Sequence, residues 1–208
     1  MGLIAYTVKV ARIFNRLNLK YALVGGLVCI LMGIRRITED ADFIVEVKSF
    51  SDLEKLFFGL KEEGFDVSLE EVKDAYANKS HFTILVDGFR LDFKFASSTL
   101  DFETLKRAVE VEIEGEKVKI ARLEENIAAK ILVLSSLKDV EDALWLMINH
   151  HDKIDWSRLQ LLLNGDPKKM IENILLEIER EFQDDVVVLK KLYELKSLLK
   201  PLSPSPNL

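Results

Sequence analysis

The glycine pair Gly25-Gly26, set between the apolar runs Tyr21 to Val24 and Leu27 to Met32, most constrains how this chain can fold. It predicts a short strand, a turn at the glycines, and a helix over roughly 27–33 that begins beside the strand end. Free backbone N–H groups at such a helix start favour an anion. The segment Asp40-Ala41-Asp42-Phe43-Ile44-Val45 then reads as extended. Residues i and i+2 of a strand face the same way, so Asp40 and Asp42 direct their carboxylates to one side.

With 208 residues and 49% hydrophobic content, the chain can bury a substantial core. The expected organisation is an α/β core over 1–120, a helical part over 121–200 and a flexible tail at 201–208. A net charge of −6 gives no broad attraction for polyanions and disfavours sequence-independent binding of long nucleic acid. Lys168, Lys169, Lys190, Lys191 and Lys196 read as solvated helix faces. The single Cys29 excludes an internal disulfide, reads as a buried small hydrophobe and suits a reducing compartment. The most apolar window, Tyr21 to Ile34, is broken by the glycines and falls short of the roughly 18 residues that a membrane span needs. Lys9 and Arg12 lie inside an amphipathic pattern, so no signal peptide is expected. The expected location is the cytoplasm, away from membranes.

Val8, Ala11, Ile13, Phe14 and Leu17 recur at helical spacing, with Asn18 as the stop. Ser49 or Ser51 caps a helix carrying Leu53, Leu56, Phe57 and Leu60 and closing at Gly64, and a short helix is expected within 66–78. His81 to Val86 and Phe89 to Phe95 form a hairpin about Asp87-Gly88. In its second strand Phe89, Leu91, Phe93 and Phe95 share one face, and Arg90, Asp92 and Lys94 share the other. A second hairpin joins 109–113 to 118–120 around Gly115. From Arg122 onward the pattern is helical, with segments near 122–136, 139–150, 156–163, 167–182 and 185–199. Pro201, Pro204 and Pro206 prevent the tail from continuing a helix.

Two carboxylates on one strand and a third on a neighbouring strand meet the needs of Mg²⁺-assisted phosphoryl chemistry. That chemistry uses oxygen ligands and often a second ion about 3.5–4 Å from the first. Asp92 is the natural third acid, because it lies on the polar face of a strand anchored by alternating apolar residues. Arg90 and Lys94 on the same face could steady phosphates or balance charge. The chain has no H-E-x-x-H and no G-x-S-x-G, which leaves zinc hydrolysis and serine hydrolysis without support, and no Gly-Lys-Ser/Thr after its glycines, which excludes a P-loop. His150-His151-Asp152 reads as a helix end with exposed imidazoles, because adjacent helix residues do not face one another.

In these residues the sequence resembles the polymerase-β-like nucleotidyltransferases. They carry Gly-Gly or Gly-Ser after the first strand, then a helix, a D-x-D on the second strand and an acid on a later one. The spacing Gly25-Gly26 followed by Arg36-x-Thr38-x-Asp40-x-Asp42 looks most like the AbiEii-type toxin branch and its lincosamide-modifying relatives. That branch also has a helical lysine, then a basic residue and a D-x-x-D, matched by Lys130 and by Lys138-Asp139-Val140-Glu141-Asp142. Lys130 is physically odd as the only charge between Asn126 and Lys138. Asp139 and Asp142 share a helix face and are read as orienting Lys130 or Lys138 by ion pairing.

The resemblance spans roughly 21–150 and implies a mixed sheet flanked by helices, followed by a C-terminal helical bundle. It implies that Asp40, Asp42 and Asp92 are the metal-binding and catalytic residues, and that Gly25, Gly26, Arg36, Thr38 and Lys130 bind the nucleotide. It further implies one or two Mg²⁺ ions, an NTP substrate, an acceptor hydroxyl on tRNA, protein or a small molecule, and a cognate antitoxin as partner. The alternative is an inactive nucleotide-binding or toxin–antitoxin interaction module. Ala41 departs from the family, which has a larger aliphatic residue there, and the helices from Trp156 onward match no pattern of the branch.

Overall fold

The computed structural model describes residues 1–134 and 136–199. The tail expected at 201–208 lies outside the described residues. The chain divides into two compact units, Met1–Arg122 and the residues from Leu123 onward.

In the first unit, helix α1 (Leu3–Arg16) leads into strand β1 (Lys20–Val24), helix α2 (Gly25–Leu31) and strand β2 (Asp40–Glu46). Helices α3 (Phe50–Glu62) and α4 (Leu69–Ala77) precede the hairpin β3 (His81–Val86) and β4 (Phe89–Phe95). Helix α5 (Thr99–Arg107) connects to a second hairpin, β5 (Val109–Ile113) and β6 (Glu116–Ile120). The six strands form one sheet in the order β3-β4-β2-β1-β6-β5. It is mixed, with β2 parallel to β4 and β1 parallel to β6, and the other neighbours antiparallel.

Period-two alternation builds the core on one sheet face. Leu23, Ala41, Phe43, Val45, Phe82, Ile84, Leu91, Phe93, Phe95 and Val118 are buried with Val10, Ile13 and Phe14 of α1 and Leu53, Leu56 and Leu60 of α3. The ring of Phe93 stacks between those of Phe82, 4.7 Å away, and Phe43, 5.5 Å away. Such aromatic pairs add about 0.5–1.5 kcal/mol beyond their buried area. Both hairpins close with two left-handed residues, Asp87-Gly88 and Glu114-Gly115, the turn geometry that suits the right-handed twist of the flanking strands.

Helix α5 is missing from the sequence-based expectation. Its apolar periodicity is sparse, and what holds it is a capping box: Asp101 N–H donates to Ser98 Oγ at 3.1 Å while Ser98 N–H donates to Asp101 Oδ2 at 3.0 Å. The buried Asp101 also accepts from Lys94 Nζ at 2.8 Å. Burial raises its pKa, but the Lys94 ammonium and the N–H groups of Ser98 and Ser97 outweigh that and hold it below the ordinary value. Asp101→Asn is expected to cost about 1–2 kcal/mol through the weakened cap and the lost charged pair. A lowered folded pKa means the carboxylate's contribution is complete above the unfolded value of about 3.9 and disappears as pH falls through the folded one. Urea unfolding of both proteins should therefore show a constant gap at neutral pH that narrows in acid.

The second unit is helical among its described residues: α6 (Leu123–Ala129), a π-helical turn (Lys130–Leu134), α7 (Leu137–Asn149), a 3₁₀ turn (His151–Lys153), α8 (Trp156–Leu163), α9 (Pro167–Glu181) and α10 (Val186–Leu199). The single helix expected over 122–136 gives way to the π turn at Lys130, where the ammonium reaches carboxylates on α7. Buried ion pairing extends to α8, where Arg158 Nη2 lies 2.7 Å from Oε1 of the fully buried Glu125. The imidazoles of His150 and His151 pack against different rings, Trp145 and Trp156. Two of the five lysines read as a solvated surface are paired, Lys191 with Glu141 and Lys196 with Glu179. No helix among the described residues is long and apolar enough to cross a membrane.

Candidate active site on the polar face of the sheet

The chain leaves β1 at Val24 in extended conformation and turns at Gly25, whose φ of +71° lies in the left-handed region that glycine adopts without steric cost. A Cβ on Gly25 would stand 2.3 Å from Asp42 Oδ2, and one on Gly26 would stand 1.8 Å from Arg36 Nη2 and 3.4 Å from Thr38 Oγ1. The glycines are thus places where backbone closely approaches Asp42, Arg36 and Thr38. These three come from one segment in which Arg36, Thr38, Asp40 and Asp42 are half-buried while Arg35, Ile37 and Glu39 are exposed. Thr38 Oγ1 lies 3.4 Å from the Asp40 backbone nitrogen.

Strand pairing brings in the third acid. In the parallel β2–β4 register Asp42 lies opposite Asp92, and Asp40 lies opposite Arg90. All four project on the face away from the aromatic core, where Ala41, Phe43, Leu91 and Phe93 are buried on the other side. The buried Ala41 fits beneath the two acids it separates.

A cation already sits among these carboxylates. Arg90 Nη2 lies 3.1 Å from Asp92 Oδ2 and 3.2 Å from Oδ1, and its Nε lies 4.0 Å from Asp40 Oδ1. The charge of Asp92, its hydrogen bond, and the more distant Asp40 and Asp42 raise the Arg90 pKa above the ordinary arginine value. Thr83 donates a hydrogen bond to Asp92 Oδ1. Among the described residues no group of three or more His, Cys, Asp and Glu side chains is gathered so as to hold a metal ion. The three aspartates share a face and adjoining positions, while the Asp92 carboxylate is directed to Thr83 and Arg90. As a donor set, hard carboxylate oxygens on neighbouring strands suit Mg²⁺.

The structure therefore groups Gly25, Gly26, Arg36, Thr38, Asp40, Asp42 and Asp92 in the first unit. Lys130 belongs to the second, where it is 2% exposed and its Nζ lies 2.8 Å from Asp139 Oδ1 and 2.9 Å from Asp142 Oδ2. Asp139 is also drawn toward Ser136, the N-cap of α7, whose hydroxyl donates to its carboxylate. The lysine is thus enclosed by the two acids expected to orient it. Thr83 escaped the sequence reading, although the Asp87-Gly88 turn carried the signal: pairing Val86 with Phe89 places Thr83 opposite Asp92.

Comparison with solved structures places this fold among nucleotidyltransferase-like proteins. An antigenic nucleotidyltransferase-like protein from Paracoccidioides brasiliensis matches with a TM-score of 0.50 and 17% identity, covering 91% of this chain and 93% of that one. A candidate nucleotidyltransferase from H. pylori matches with a TM-score of 0.50 and 16% identity, covering 97% and 95%. ANT(2")-Ia in complex with adenylyl-2"-tobramycin matches with a TM-score of 0.50 and 15% identity, covering 77% and 94%. No curated protein matches in sequence. Residues 5–160 match the family described as "Nucleotidyl transferase of unknown function (DUF2204)", and since that match takes in most of its length, the chain belongs to this family.

Proposed function

We propose that this protein transfers a nucleoside monophosphate from an NTP to an acceptor hydroxyl in an Mg²⁺-assisted reaction. One observation carries the reading: Asp42 and Asp92 lie in register on adjacent parallel strands, and the Asp42 carboxylate and the Arg36 guanidinium lie directly against the backbone of the glycine turn. Asp40 and Asp42, together with Asp92, are the residues to hold Mg²⁺, whose chemistry when bound is to neutralise charge on the triphosphate and polarise its phosphorus–oxygen bonds. The Gly25-Gly26 backbone, Arg36 and Thr38 cradle the phosphates. Asp92 positions the acceptor hydroxyl and accepts its proton as the hydroxyl oxygen bonds to the α-phosphorus and pyrophosphate leaves. Lys130 can lend its charge to the departing pyrophosphate only by loosening its hold on Asp139 and Asp142.

In this proposal residues 1–120 are the catalytic core and the helices from Trp156 onward select the acceptor. The Arg36-x-Thr38-x-Asp40-x-Asp42 spacing supports kinship with AbiEii-type toxins and lincosamide-modifying enzymes, and with it a cognate antitoxin and a cytoplasmic site of action. The fold shared with ANT(2")-Ia, whose complex holds adenylyl-2"-tobramycin, makes small-molecule hydroxyls the first acceptors to test. The test is incubation with each α-labelled NTP, Mg²⁺, and in turn an aminoglycoside and lincosamide panel, tRNA, and total cell protein. Label should move onto one acceptor class. Retention of an NTP with no transfer to any of them overturns the enzymatic reading in favour of a nucleotide-binding module.

A further inference from the structure

Arg90 lies against two of the three proposed site carboxylates, Asp92 and Asp40. Its side chain is half exposed, and it contacts both oxygens of Asp92 through Nη2. The other cation of the strand, Lys94, is committed elsewhere, to Asp101 at 2.8 Å. Arg90 owes its place to register, which sets it opposite Asp40 and two residues before Asp92 on the same face. Without a countercharge, aspartates on adjoining positions of neighbouring strands repel one another. The guanidinium relieves that repulsion through its Nη2, but it occupies the Asp92 oxygens that a divalent ion would take. A long, half-exposed arginine can swing aside at little cost, and a polyphosphate entering the site offers it new oxygens.

We propose that Arg90 is a resident counter-ion of the aspartate cluster that competes with the divalent metal for Asp92 and Asp40 and re-pairs with the polyphosphate of the incoming nucleotide. This rests on the metal-binding reading of Asp40, Asp42 and Asp92 given above. Its consequence is cooperative loading: metal alone binds weakly, because it must displace Arg90, and metal with triphosphate binds strongly, because the displaced arginine gains a partner. Removing Arg90 should separate those two affinities.

The experiment titrates Mn²⁺, followed by electron paramagnetic resonance, into the full chain with and without a non-hydrolysable ATP analogue. The proteins compared are wild type, Arg90→Gln, Arg90→Lys and Asp42→Ala. Arg90→Gln should bind Mn²⁺ alone roughly five- to tenfold more tightly than wild type, and the analogue should improve its Mn²⁺ affinity by a smaller factor than in wild type. Arg90→Lys, which keeps the charge, should stay near wild type and guards against a folding defect in the glutamine variant. If Arg90→Gln binds Mn²⁺ no more tightly than wild type while Asp42→Ala loses binding, the counter-ion role is overturned and the metal site stands. If wild type, Arg90→Gln and Asp42→Ala bind Mn²⁺ equally or not at all, the metal reading itself falls, and the counter-ion role falls with it.

Discussion

Asp42→Ala is expected to reduce nucleotide transfer by about 10³-fold or more, equivalent to roughly 4 kcal/mol of lost transition-state stabilisation, while leaving the fold intact. The two halves of this expectation have separate physical grounds. Asp42 is the acid nearest the glycine turn and faces Asp92 across the parallel pair, so its loss removes a donor at the centre of the cluster. Its strand position is secured by backbone pairing with Val24 of β1 and by the buried neighbours Ala41 and Phe43, none of which needs the carboxylate. Alanine also lessens like-charge crowding with Asp40 and Asp92. Transfer of label from the preferred NTP, measured beside thermal unfolding, checks both. A variant with wild-type turnover would remove Asp42 from the chemistry.

Lys130→Met should produce the largest loss of stability, about 3–5 kcal/mol, because it leaves the Asp139 and Asp142 carboxylates without the ammonium between them. Lys130 and Asp142 are almost wholly removed from solvent, and Asp139 is 14% exposed. The cost comes from stranded charge, not from lost packing, since methionine fills a similar volume. Adding Asp142→Leu to Lys130→Met should therefore recover a substantial part of it. In calorimetry the single variant should melt roughly 10 °C lower and the double variant nearer to wild type. If triphosphate affinity stays low in the double variant although stability returns, Lys130 also serves the nucleotide. If affinity returns with stability, its part is structural.

Much of this protein is local in origin and legible without coordinates. The strand–turn–helix at Gly25-Gly26, the extended Asp40-Ala41-Asp42, the hairpin at Asp87-Gly88 and the boundaries of the helix at 156–163 all follow from turn chemistry and from two apolar periods. Helix α5 was not legible from periodicity, because it depends on a capping box and on the pairing of the buried Asp101 with the partly exposed Lys94. A Ser-x-x-Asp search at Ser98 would have exposed it. The π turn at Lys130 was hidden for a related reason: an apolar run reads as continuous helix until the one charge within it must be satisfied from another helix.

By itself the sequence determined which side chains share a strand face, because alternation is a property of the backbone. It also determined that Thr83 opposes Asp92, because a two-residue turn sets the register of the strands it joins. Only the tertiary structure decided that Asp42 stands opposite Asp92 and Asp40 opposite Arg90. Sliding β4 by two residues along β2 keeps every apolar residue on the core face, so alternation cannot distinguish the two arrangements. The choice falls to how Phe43, Phe82 and Phe93 stack beneath the sheet, and with it the neighbours that each carboxylate receives.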